Sequence, residues 1–275
     1  MKLHHLRTQL RYARSFQAAL LVSGLAVIGL WGCGKDNVAA PHRVPLTLEA
    51  QGSGAPTQRF STAAMLSAAS AQDTIPVTFT RALITVRDIR FVLPEGEDRA
   101  DTLGLGDNDS TDAEGSDTGG QVRFHGPFVI DLLAGDAQSL GTQMVPAGVY
   151  SMIMGHLQAL AAGGPLATQY PDLVGATILL EGDIAGAGGG HFVYTARIDD
   201  EFIIHGSFNV TGDKPVTTFL VFDLSKLLMD RDGHFLDPRN LDNDQAIRQA
   251  IRHAIKMGVD RNRDGEPDDE LSVAD

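Results

Sequence analysis

The chain has 275 residues, 22 Lys and Arg against 35 Asp and Glu, a formal net charge of −13, and one cysteine. So acidic a surface repels phosphate backbones, which excludes nucleic acid as a natural partner. One cysteine excludes an intrachain disulfide and Cys-rich zinc centres by counting.

The first residues form a targeting pattern. Lys2, Arg7, Arg11 and Arg14, with no acidic residue among them, lead into an almost wholly apolar run from Phe16 to Trp31 that ends at Cys33. A basic n-region followed by an apolar h-region predicts a secretory signal. The run falls short of the roughly 20 residues that span a bilayer, so an uncleaved signal anchor is the second reading. Leu30-Trp31-Gly32-Cys33 resembles the lipobox of bacterial lipoproteins, with the bulky Trp31 where a small residue is usual. The resemblance implies removal of residues 1–32, acylation of Cys33 and attachment to a membrane of the cell envelope through that lipid. Gly34 after the cysteine, in place of Asp, is compatible with the outer-membrane sorting that the resemblance to such lipoproteins implies. Cleavage removes four basic residues and leaves a net charge of −17, so anionic headgroups would repel the protein itself. It also removes Trp31, leaving Tyr150, Tyr170 and Tyr194 as the tyrosines, a thin supply of rings for stacking on sugars.

Residues 33–75 are rich in Ala, Gly, Ser, Pro, Thr and Gln and read as a flexible linker, in which only Val44 to Glu49 looks structured. A β-sandwich domain is expected over 76–242. Its strands begin with Pro76 to Thr80 and Ala82 to Leu93. In the second, Ile84 and Val86 change parity to Ile89 and Phe91 across Arg87-Asp88, which predicts a bulge that keeps all four on one face. Residues 94–120 are acidic, rich in Gly, Asp and Ser, and are expected to form a disordered loop. Strands resume at Gln121 to Phe124, Pro127 to Leu133 and Val149 to Leu160, the last with Tyr150, Met152, Met154 and His156 on one side.

Four further strands are expected at Ala176 to Glu181, His191 to Asp199, Glu201 to Val210 and Val216 to Asp223. Gly186 to Gly190 reads as a hairpin tip. Gly206, in phase with Phe202, Ile204 and Phe208, marks a bend or a close contact. Short strands with Gly and Pro turns and no alternating helices indicate a mainly β protein, an antiparallel sandwich. Residues 243–275 are expected to carry one amphipathic helix, from a cap at Asn243 or Asp244 to Gly258. Ala246/Ile247, Ala250/Ile251 and Ala254/Ile255 make its apolar stripe, and an acidic tail follows.

Two segments, Ala82 to Phe91 and Pro127 to Tyr150, resemble a family of bacterial lipoproteins defined by a β-rich domain of unknown function. The matching residues are Asp131, Leu132 and Leu133, then Pro146, Ala147, Gly148 and Tyr150. The resemblance implies a sandwich fold and an envelope location, and implies no reaction.

The strongest chemical signal is Asp260-Arg-Asn262-Arg-Asp264-Gly265-Glu266-Pro-Asp268, which follows the spacing of calcium loops. Alternate residues there turn oxygens towards a hard cation, and Gly at position six permits the sharp turn. Position twelve, where a carboxylate usually closes the shell, is Leu271. Asp260, Asn262, Asp264, Glu266 and Asp268 are the expected ligands of a weakly bound structural Ca²⁺. Asp230-Arg-Asp232-Gly233 is either a contributor to the same ion or a plain turn. The histidines of the mature chain show no metal-binding spacing, and His205 is expected to be exposed. No G-x-S-x-G elbow occurs. The sequence thus favours a non-enzymatic, lipid-anchored envelope protein that binds an envelope protein or a glycan. A carbohydrate-binding or adhesion module and a hydrolase built from dispersed His and Asp are the alternatives.

Overall fold

The computed structural model describes residues 42–61, 74–93, 121–186, 188–211 and 214–272. Cys33, the expected signal at 1–32, residues 62–73 of the expected linker and the expected loop 94–120 lie outside them. The protein is mainly β, two sheets packed as a sandwich with a short helix near the C-terminus, as the alternation of its apolar residues predicts.

The strands in chain order are β1 (Arg43–Ser53), β2 (Thr57–Ser61), β3 (Thr74–Val92), β4 (Gln121–Asp131), β5 (Gln138–Pro146) and β6 (Gly148–Leu157). A short helix, α1 (Gly164–Gln169), precedes β7 (Ile178–Ile184), β8 (Gly190–Ala196), β9 (Asp200–Val210) and β10 (Val216–Asp223). Helix α2 (Asp244–His253), β11 (Ile255–Asp260) and β12 (Asp269–Ser272) close the chain. One sheet has the order β12-β11-β10-β1-β5; the other runs β8-β7-β3-β6-β9, with β2 and β4 also on β3.

β3 is the hub of the larger sheet. Its register shifts between Val86 and Asp88 against β4, and Ile84, Val86, Ile89 and Phe91 are all buried, so the expected bulge exists and does what the change of parity requires. A second shift, between Tyr150 and Met152 of β6, corrects the reading of that strand. Tyr150 turns into the core while Met152, Met154 and His156 stay half-buried on the outer face. The Tyr150 hydroxyl donates to the Pro146 carbonyl at 2.9 Å, and its ring packs with Phe91 and Phe208. That bond explains the Pro-Ala-Gly-x-Tyr pattern as a corner in which a buried tyrosine ties down the turn before its own strand.

The strands expected at 76–80 and 82–93 are one, β3, and those expected at 121–124 and 127–133 are one, β4; β6 and β8 end earlier than expected, at Leu157 and Ala196, and larger differences lie elsewhere. Residues 43–61 are not linker: β1 is an inner strand, pairing in parallel with β10 and antiparallel with β5. Its Val44, Leu46, Leu48 and Ala50 are buried at strict period two, a pattern masked by the polar partners between them. Strand β5, rich in Gln, Gly and Thr, carried no apolar alternation and was not foreseen. The C-terminal helix ends at His253 rather than reaching Gly258, because Ile255, Met257 and Val259 switch to period two and pair with β10. Asn243 makes no side-chain cap; Asn240 caps the preceding turn instead, accepting from the Asp242 N–H.

Helix α2 buries Ile247, Ala250 and Ile251 against the sandwich, each such side chain contributing roughly 1.5–3 kcal/mol if large and aliphatic. Its basic residues bind the domain as well as facing water. Arg248 pairs with Asp244 at 2.8 Å and also donates to the Arg197 carbonyl, and Arg252 pairs with Asp200.

Candidate metal centre

The calcium-like segment is the connection of the β11–β12 hairpin. Asp260, the last residue of β11, is 9% exposed. Its carboxylate accepts the Arg263 N–H and, at 3.1 Å, the Gly265 N–H. Asn262 Oδ1 accepts the Asp264 N–H at 2.9 Å, and Asp264 Oδ1 accepts the Glu266 N–H at 2.9 Å. Asp268 folds back to accept the N–H groups of Arg261 and Asn262 at 2.6 and 3.0 Å. Asn262 Nδ2 donates to both Asp264 and Asp268. The backbone reaches this shape through left-handed residues at Arg263 (φ 67°) and Gly265 (φ 87°). Arg263 is the one non-glycine with positive φ among the described residues, a conformation that costs an L-residue roughly 1–2 kcal/mol.

The loop is pinned to the sandwich at two places. Pro267 lies against Gly258, and the Leu271 side chain against Gly206 of β9, each at a distance that leaves no room for a β-carbon. Leu271 at position twelve is therefore a packing residue. Asp260, Asn262, Asp264 and Asp268 offer side-chain oxygens, the donor chemistry that suits a hard cation such as Ca²⁺. All five expected residues lie in this one loop, where Asn262 bridges Asp264 and Asp268, and all of them but Asp260 are exposed.

The fragment Asp230 to Gly233 is a turn. The Gly233 N–H donates to the Asp230 carbonyl, and Met229 pairs with Phe235 across it. One ligand-type atom each from Asp230, Asp232 and His234 falls within 4.8 Å, a grouping the sequence reading missed because His234 was taken as isolated. Asp230 is already engaged by the N–H groups of Asp232 and His234 and by His234 Nδ1 at 3.1 Å. Burial pushes the Asp230 carboxyl up, but these bonds and the His234 charge outweigh it and hold it below the ordinary value. The turn lies too far away to share a cation with the 260–268 loop. Asp230 shares a cavity with Lys256 and Ser272, at the other end of β11, about 13 Å of strand away from Asp260.

The histidines are distributed over separate partners. His156 pairs with Asp199 at 2.9 Å, His125 with Asp88 at 3.7 Å, and His191 with Glu181 and Asp183 at 3.5 Å; His205 is exposed. Tyr150 and Tyr194 are buried, which leaves Tyr170 as the one described tyrosine with a partly open ring. Comparison with family models, curated proteins and solved structures gives no match. The class that the observations define is therefore a two-sheet β-sandwich with an Asp- and Asn-rich loop on its C-terminal hairpin.

Proposed function

We propose that the protein is a lipid-anchored bacterial envelope protein whose β-sandwich is a non-enzymatic binding or structural module, stabilised by Ca²⁺ in the 260–268 loop. The observation that carries the module reading is that loop: Asp260, Asn262, Asp264 and Asp268 each accept N–H groups of the same short segment, and Asn262 Nδ2 bridges Asp264 and Asp268. A cation would replace the bonds that Asn262 Nδ2 now gives to Asp264 and Asp268 and would neutralise the carboxylates gathered there. The basic and apolar start of the chain, closing on Leu30-Trp31-Gly32-Cys33, supports the anchor. The partner in this reading is an envelope protein or a glycan at an outer-membrane surface.

Expression of the full chain in a bacterial host tests the anchor. The protein should sediment with membranes and be released by detergent, and Cys33→Ser should move it to the soluble fraction. A Cys33→Ser variant that stays with the membranes would contradict lipidation at that residue.

A further inference from the structure

A cavity of about 290 Å³ lies between the turn at 226–231, one face of α2 and the end of the β11–β12 hairpin. Its apolar floor is Met229, Ala246 and Ala250, and its polar lining includes Lys226, Arg231 and Lys256. Three cationic residues and one carboxylate, Asp230, therefore line the cavity, with Asp223 paired to Lys256 beside it, in a chain whose net charge is −13.

The geometry fixes these charges in place. Lys256 Nζ is held 3.2 Å from Asp223 at the end of β10. Arg231 Nη2 donates to His253 Nε2 at 3.2 Å, which ties the turn to the last turn of α2. Asp230 is turned towards His234 and the N–H groups of its own turn. With Asp230 engaged by its own turn and Lys256 shared with Asp223, the lining still carries an excess of cationic groups in an otherwise acidic chain, which favours an anion there. Its size is at the lower end of ligand cavities, and an apolar floor with a few convergent polar groups is the usual construction of such sites.

We propose that this cavity binds a small multiply charged oxyanion, a phosphate or a polycarboxylate, with Lys226, Arg231 and Lys256 as its positive ligands. Guanidinium and ammonium groups both suit carboxylate and phosphate oxygens, Arg by its fork and Lys as a point charge. The site is independent of the lipid anchor and of the calcium loop.

Inorganic phosphate and citrate titrated separately into the purified chain, followed by calorimetry at low ionic strength, test it. At least one probe should bind saturably. Lys226→Gln combined with Arg231→Gln should weaken it tenfold or more; both side chains are exposed, and a cooperative melting transition of the variant checks that loss of the Arg231–His253 bond leaves the fold intact. The control removes the same two charges elsewhere, as Arg59→Gln with Lys214→Gln, and should leave binding intact. The phosphate and citrate arms decide which oxyanion is preferred. Failure of both probes to saturate, or equal weakening by the control pair, would overturn the proposal.

Discussion

The methyl groups of Leu271 occupy the space where a side chain on Gly206 would begin: a β-carbon on Gly206 would stand 2.1 Å from Leu271 Cδ1. The edge strand of one sheet is thereby keyed into β9 of the other, and the loop before it is held by the same contact. Replacing Gly206 with Ala should destabilise the protein by roughly 1–3 kcal/mol, the usual cost of overpacking. In a Leu271→Ala background the same change should cost less, a positive coupling that a double-mutant cycle in urea would read.

The first strand yields a second prediction. Because β1 lies between β10 and β5, a chain that begins at residue 76 would leave both neighbours with unpaired inner edges and an open apolar face. Such a chain should show no cooperative unfolding transition by circular dichroism, whereas one that begins at residue 42 should retain it.

Tyr194 gives a prediction for alkaline pH. Its hydroxyl donates to Asp244 Oδ1 at 3.0 Å, and burial first, then the bond and charge of Asp244, push its pKa well above the ordinary 10.0. The folded protein thus prefers the neutral phenol. Its contribution to stability is full below pH 10 and is lost as pH rises above the unfolded-state value and through the folded one. Asp244→Asn should remove the charge, lower the pH at which Tyr194 ionises in an ultraviolet titration, and reduce the alkaline loss of stability.

Much of the sandwich is legible in the sequence because period-two burial leaves a direct trace. Phe202, Ile204 and Phe208 are inward and His205 outward, and the bulge at 86–88 follows from a change of parity alone. β1 was hidden by its composition: Thr47, Glu49 and Gln51 alternate with the buried residues and give the segment the look of a linker. Ile255 was claimed for the helix because Ala254 and Ile255 continue a spacing of four, and only pairing with Phe222 decides for strand. In the metal loop the spacing of oxygens is local and was readable. The role of Leu271 was not, since it depends on Gly206, distant in sequence and on the opposite sheet. The cationic cavity was equally illegible, being assembled from a turn, a helix and a hairpin end that no sequence pattern links.

The central claim, a cation in the 260–268 loop, is tested most directly by calorimetric titration of Ca²⁺ into the metal-free chain and into Asp264→Ala. The account predicts saturable binding in the range of extracellular modules, with Kd about 10⁻⁴–10⁻³ M. It also predicts a stabilisation of about 1.4 kcal/mol at a tenfold excess over Kd. Both should be lost in Asp264→Ala. No heat and no change in melting temperature with the unaltered chain, or undiminished binding by the variant, would contradict it.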